Sequence, residues 1–414
     1  MALIHPHTGI RPADALAARV ISPPYDVLSE DEARSLCADN PLSFLHVTRP
    51  EVNLPRGTDP HSDAAYVAAR EALARLRAEG ALVRDPTPCV YLYGQKMPMR
   101  DESGAVVRWH EQVGFLTCVS VEEYDRGLIR RHEHTRPDKV EDRSHLIETL
   151  GAQTGLVFLA WRDDAALTAL LDRLAGAGPA WSVPTEDGVI HTLWIVSEPE
   201  RIREIQETFA RIPLLYVADG HHRSQAASLC SARHPEGGEY PWFLAGVFPA
   251  SRLQVLAYNR LVADLHGHTV PDFLRAVAER FTICPEVEPV PKERGTMTMY
   301  LKGRWYGLTP HADRVPADPV GRLDVSVLQD QLLAPVLGIQ DPRRDKRIDF
   351  VGGIRGWHAL RDAVDAGRAA VAFHLVPTGL EQLMDVADSG QVMPPKSTWF
   401  EPKLRGGVVV HALD

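Results

Sequence analysis

Two periods run through the hydrophobic pattern of this chain, and they alternate. Between residues 62 and 80, alanines and leucines recur at helical spacing behind Ser62 and ahead of Gly80. That predicts an amphipathic helix with a hydroxyl cap and a glycine stop. Ser29-Glu30-Asp31-Glu32 has the capping-box arrangement and predicts another helix after it. The short apolar runs Val90-Tyr91-Leu92-Tyr93 and Gly114 to Val119 read as strands. Further strands are predicted at Gly155 to Trp161, His191 to Val196 and Leu214 to Ala218, interleaved with helices at 144–153, 165–176 and 199–211. This alternation predicts an α/β protein with a mainly parallel or mixed sheet. From about residue 235 the pattern turns β-rich, with strands at Trp242 to Phe248, Leu253 to Tyr258 and Thr296 to Leu301. Helices near 271–280, 324–337 and 357–366 complete an α+β region, and Gly303, Gly307 and the stretch 310–319 mark loops.

These shifts divide the chain into an N-terminal α/β segment at 1–109, a core at 110–235 and a C-terminal α+β region at 236–414. A length of 414 residues exceeds one ordinary domain, and 44% apolar with 24% charged residues is a globular balance. The net charge of −10 argues against a general nucleic-acid binder. No apolar run approaches the roughly 20 residues that span a bilayer. The start Met1-Ala2-Leu3-Ile4-His5-Pro6 lacks the basic and apolar regions of a signal peptide, and the five cysteines lack C-x-x-C spacing. The expectation is a cytoplasmic protein with reduced thiols that acts on a small molecule and has neither a nucleic-acid nor a membrane partner. A homo-oligomer is left open.

Four clusters carry candidate chemistry. In Leu214 to Ala227 an apolar strand breaks at Asp219-Gly220 and a helix opens on His221-His222-Arg223. Unpaired amides and the helix dipole favour an anion there. Gly220 permits close approach, and His222 with Arg223 makes phosphate the natural anion. Asp219 is placed to bind Mg²⁺ or orient a nucleophile. The second cluster is Arg130-Arg131-His132-Glu133-His134-Thr135, followed by Lys139, Asp142 and Arg143. Glu133 between histidines suits general-base work, while the same run also reads as a solvated charge stretch. A metal held by His132, His134, His221 and His222 stays open, although H-E-x-x-H on a helix is absent. The third cluster, Met393 to Lys403, presents Lys396, Ser397 and Thr398 between prolines, as an anion holder or a plain turn. The fourth, Pro23-Pro24-Tyr25-Asp26-Val27, lines a pocket with Tyr25 and Asp26 or packs a terminal arm. Lys346 to Gly353 is a lesser candidate, its glycine pair permitting close backbone approach.

Taken in order, PPYDV, RHEHT, ADGHHR, Asn259-Arg260 and MPPKST-WFEPK resemble a widespread bacterial and archaeal family of unknown function. Residues 110–235 are also similar to the sulfiredoxin/ParB superfamily, including its free serine kinases. That second resemblance implies a mixed-sheet sulfiredoxin/ParB-like core flanked by the N-terminal α/β segment and the C-terminal α+β region. It also implies a nucleotide-dependent phosphotransferase, a small-molecule kinase working on a hydroxyl, serine-like first, with ATP or ADP and Mg²⁺. Glu133, Asp219 and His222 would be catalytic, with Asp219 at the metal. Gly220, His221, Arg223, Lys396, Ser397 and Thr398 would hold the nucleotide, and Tyr25, Asp26 and His132 the substrate. His221 stands where sulfiredoxin has its cysteine, so redox chemistry is not implied. The alternatives are a metal-dependent phosphoester hydrolase and a nucleotide-sensing binding protein without turnover.

Overall fold

The protein is described here by a computed structural model covering residues 1–100, 105–235 and 237–414. It divides into two compact units, Met1–Leu253 with Pro402–Asp414, and Gln254–Glu401. Among the described residues the fold is mixed α/β, and no helix is long and apolar enough to cross a membrane.

The first unit is built on a nine-stranded mixed sheet: β1 (Ile4–His5), β2 (Val90–Arg100), β3 (Val106–Ser120), β4 (Ile129–Arg130), β5 (Val157–Trp161), β6 (Trp181–Pro184), β7 (Ile190–Val196), β8 (Leu215–Asp219) and β9 (Trp242–Pro249). Their spatial order is β4-β8-β5-β9-β3-β2-β7-β6, with β1 beside β3. Only β4–β8 and β5–β9 run parallel among the pairs of this sheet. The hairpin of β2 and β3 reaches well beyond the apolar runs that announce it. Its outer half carries Lys96, Arg108, His110 and Glu111, so no alternation marks it as strand.

The longer helices of this unit start behind a capping side chain (Ser29, Ser62, Asp164), on a proline (Pro137, Pro199) or at Gly220. They are α1 (Glu30–Ala38), α2 (Asp63–Ala78), α3 (Pro137–Leu150), α4 (Ala165–Ala175), α5 (Pro199–Phe209) and α6 (His221–Arg233). Ser29 closes a full capping box with Glu32, and Ser62 caps α2 as the pattern predicts. Helices α4 and α5 bury Leu170, Leu171, Leu174, Ile202, Ile205 and Phe209 against the sheet residues Phe115, Leu159 and Trp161. The Phe209 ring meets Phe115 edge-on at 5.1 Å. Helix α3 differs from its expected range of 144–153. Pro137 starts it and Gly151, at φ 59°, ends it. Residues 139–143 therefore belong to a helix and not to an extended charge run. Chain ends meet in a smaller core, where Val410 and Ala412 pack with Ile10, Phe44 and Leu76.

The second unit holds a six-stranded antiparallel sheet: β10 (Tyr258–Val262), β11 (Phe281–Pro285), β12 (Met297–Leu301), β13 (Arg304–Pro310), β14 (Ile348–Gly352) and β15 (Val371–Leu375). The order is β11-β13-β12-β15-β10-β14. Helices α7 (Val270–Ala278), α8 (Gly356–Asp365) and α9 (Leu380–Asp388) accompany it. Leu360 of α8 packs on Tyr300, Trp305, Val351 and Ala372. Three expectations fail here, the first being the loop expected at Gly307, which lies inside β13. The strand Leu253 to Tyr258 is broken, because a 3-10 turn at Ala250–Arg252 precedes the short pair Val255–Leu256. Helix 324–337 shrinks to Asp324–Leu328 followed by a π turn at Gln329–Leu333.

Candidate functional site

Strand β8 ends at Asp219, and the chain turns into α6 through Gly220 at φ 97°, a conformation that L side chains rarely adopt. A Cβ there would also press on Arg223 Nε at 3.2 Å and the Val157 backbone at 3.4 Å. The amides of Arg223 and Ser224 return to the Gly220 carbonyl at 2.9 and 3.0 Å. Those of His221 and His222 are left at the head of the helix, where its dipole favours an anion.

Asp219 is held from three sides. Its Oδ1 accepts the Gly220 amide at 2.7 Å, its Oδ2 accepts Lys403 Nζ at 2.7 Å, and Arg223 Nη2 stands 4.0 Å away. Burial raises this carboxyl, but the charges of Lys403 and Arg223 outweigh burial and hold it well below the usual carboxylate range. Lys403 arrives on the returning segment Pro402–Asp414. Gln95 Nε2 donates to the Lys403 carbonyl at 2.8 Å, and Gln112 Nε2 to the Pro402 carbonyl at 3.4 Å.

Beside this turn lies a small cleft of about 40 Å³, where Tyr25, Thr48, Arg143, Thr154, Gly155 and Arg223 meet the apolar side chains of Leu146, Val157 and Phe243. Arg223 Nη1 donates to the Leu156 carbonyl. Gly155 makes room for it, since an added Cβ would come within 2.9 Å of Arg223 Cδ. Arg143 extends from α3, its Nε donating to Asp142 Oδ2 at 2.7 Å, with its guanidinium 4.6 Å from the Tyr25 ring centroid. Asp142 also accepts Tyr66 Oη at 2.7 Å and meets His61 Nδ1 at 2.5 Å. Tyr25 is fixed in turn by Arg49, which donates to the Tyr25 and Leu28 carbonyls at 2.8 and 2.6 Å and pairs with the buried Glu51. The charge of Asp26 favours the protonated forms of Arg223 and Lys403. Two arginines from separate helices thus line one cleft at the foot of a helix-opening turn.

Glu133 stands at the start of α6, its Oε2 3.8 Å from His221 Nδ1. His221 and His132 are buried, with rings edge to face at 4.4 Å. Burial pulls His132 down to about 4, and burial followed by the His132 charge lowers His221 well below its ordinary value. Both rings are therefore neutral at pH 7. His222 accepts the Arg136 amide on Nε2 at 3.1 Å, which ties the loop before α3 to α6. With Nε2 accepting, the neutral ring carries its proton on Nδ1, which is the nitrogen left to donate. His134 is exposed.

At Asp219, the expected Mg²⁺ ligand, each carboxylate oxygen already accepts one hydrogen bond, and Lys403 and Arg223 set two cations beside it. Among the described residues, no group of three or more His, Cys, Asp or Glu is arranged to hold a metal ion, the RHEHT and GHH histidines included. Lys396, Ser397 and Thr398 belong to the second unit. The lysine that reaches Asp219 is Lys403. Sequence reasoning singled out the prolines around Lys396 and passed over Lys403 at the end of the same motif. Arg143 stood in the second cluster without a role of its own, its helix being expected to begin after it, and Arg49 and Gly155 carried no signal.

Fold and site together define a mixed α/β protein whose first unit carries a cationic cleft beside a helix-opening turn. By sequence, the chain belongs to the family described as protein of unknown function (DUF1015), matched over residues 4–326. No curated protein matches it. Among solved structures, a free serine kinase variant in complex with AMP aligns at 12% identity and TM-score 0.35, covering 69% of this chain and 87% of that one. A C-terminally truncated SbnI from Staphylococcus aureus aligns at 12% and TM-score 0.37, covering 69% and 82%. A conserved hypothetical protein from Pyrococcus furiosus aligns at 11% and TM-score 0.35, covering 72% and 95%.

Proposed function

We propose that the first unit binds a nucleotide, ATP or ADP, and transfers its terminal phosphoryl group to the hydroxyl of a small metabolite, serine-like first. The observation that carries this reading is the convergence of Arg143 and Arg223 on one cleft beside the Gly220 turn. Planar guanidinium groups and helix-head amides are the donors that a polyphosphate chain asks for. Phosphoryl transfer depends mainly on positioning and charge neutralisation.

In this reading the acceptor oxygen attacks the terminal phosphorus, the new P–O bond forms as the bond to the leaving nucleotide breaks, and Glu133 takes the hydroxyl proton. Arg223 and Arg143 neutralise the phosphates. The Asp219–Lys403 pair braces the turn. Asp26 and Tyr25 offer an acid and a ring edge to the acceptor, the acid suiting an ammonium group. No step is assigned to a protein-held cation.

Titration calorimetry with ATP, ADP and AMP, followed by phosphate-transfer assays on hydroxy amino acids, tests the reading. Saturable binding with transfer to one acceptor supports it. Binding without transfer to any acceptor replaces it with a nucleotide-sensing role, and absence of binding ends it.

A further inference from the structure

The pair Asn259-Arg260 and the turn Pro394-Pro395-Lys396-Ser397 come together inside the second unit, and the site in the first unit uses neither. Arg260 on β10 is only 4% exposed. Its Nη1 donates to the Tyr258 carbonyl and its Nη2 to the Lys396 carbonyl at 3.0 Å. Its guanidinium carbon lies 5.2 Å from the Phe350 ring centroid. Among the described residues no carboxylate pairs with it. Burial lowers the group only to about 10, so it stays charged at neutral pH. A guanidinium has five N–H donors, and a buried charge is ordinarily paired.

Lys396 supplies the second cation. It adopts φ 60°, the left-handed region, although it is not glycine. Such a backbone is strained and persists where its surroundings over-determine it, which happens at ligand clamps. Here the Arg260 bond to its carbonyl and the Ser397 Oγ bond to the Pro394 carbonyl at 2.6 Å hold the turn. The Lys396 ammonium stands 5.4 Å from the Tyr258 ring centroid, again with no acidic partner among the described residues. Tyr258 thus stands next to both cations, its carbonyl receiving Arg260 and its ring facing Lys396.

We propose that this cluster is an oxyanion site, in which Arg260 and Lys396 hold the phosphate or carboxylate group of a small anionic ligand using second-unit residues alone. A strand fixes one cation, a strained turn carries the other, and the hydrogen bond from the Arg260 guanidinium to the Lys396 carbonyl ties the turn to the strand. The counter-charge that both lack is the ligand.

The test uses the full chain carrying Arg223→Ala, so that the cleft of the first unit is disarmed. Pyrophosphate and succinate are titrated separately by calorimetry at constant ionic strength. One of them should bind saturably, and the responding anion identifies the group recognised. Lys396→Gly, which also relieves the left-handed strain, should weaken that binding about tenfold or more, as should Arg260→Lys. Because Lys396 is exposed, its variant remains informative if the Arg260 variant does not fold. If neither anion binds in the Arg223→Ala chain, or if Lys396→Gly binds as tightly as its parent, the site is overturned. Neither result bears on nucleotide binding by the unmodified first unit.

Discussion

The Lys403 ammonium lies 2.7 Å from Oδ2 of Asp219, a residue 184 positions earlier in the chain. One consequence is structural: the segment Pro402–Asp414 is fastened at the strand end from which the candidate site is built. The other is electrostatic, because Asp219 remains an anion inside a cationic frame.

Lys403→Met should therefore destabilise the first unit by about 1.5–3 kcal/mol, the scale of a hydrogen bond to a charged group. The pH window follows from the direction of each shift. Asp219 titrates lower in the folded state than in the unfolded chain, so its contribution is present above about pH 4 and is lost as pH falls through the folded value. For Lys403, burial lowers its pKa, but Asp219 prevails and raises it, so that contribution is full below the unfolded value and lost only in strong base. Denaturant unfolding of both chains should show a gap that is constant near neutrality and narrows in acid. An equal gap at pH 7 and pH 3 would contradict the ion pair.

Arg223→Ala should weaken nucleotide binding by about 1.5–3 kcal/mol, a factor of roughly 10 to 100, with the fold retained. Gly155→Ala should reproduce part of the loss without touching the charge, because the new Cβ displaces Arg223 at Cδ. Calorimetry on both variants checks the claim. Unchanged affinity in Arg223→Ala removes the arginine from the phosphate site.

Glu133→Gln should leave nucleotide affinity near the wild-type value and lower turnover by about 10²–10⁴, the range for a lost general base. Gln keeps the shape but cannot accept the hydroxyl proton. Near-normal turnover in the variant would assign the proton to another group.

The buried His132 makes an acid-side prediction. Its pKa falls from 6.5 in the unfolded chain to about 4 in the fold. Between those values the unfolded chain takes up a proton that the folded one refuses, so stability declines as pH falls, at up to about 1.4 kcal/mol per pH unit. His132→Phe should flatten that part of the profile for the first unit. Thermal melts from pH 7 to pH 4.5 that stay parallel for the two chains would show that His132 does not contribute.

Local signals were legible wherever one residue's chemistry settles one element. Ser29 and Ser62 announce their helices because a hydroxyl satisfies free amides, and Asp219-Gly220 announces a turn because only glycine tolerates φ 97° cheaply. The outer half of the β2–β3 hairpin was illegible because buried Gln95 and Gln112 and exposed Val106, Val107 and Trp109 invert the usual apolar-in, polar-out alternation. The role of Arg143 was illegible for a different reason: Pro137 begins a helix whose first turns look like a charge run.

By itself, then, the sequence determined the α/β character, the helix-opening turn at Gly220 and the residue types suited to phosphate. Those follow from propensity, capping and backbone freedom over a few neighbouring residues. Only the tertiary structure decided which cations serve which acid. It set Arg143 beside Arg223, joined Lys403 to Asp219 and left Arg260 with Lys396 in the other unit. Such pairings depend on strand order and chain return across tens to hundreds of residues, and Coulomb attraction at a few ångströms leaves no mark on the spacing of residues along the chain.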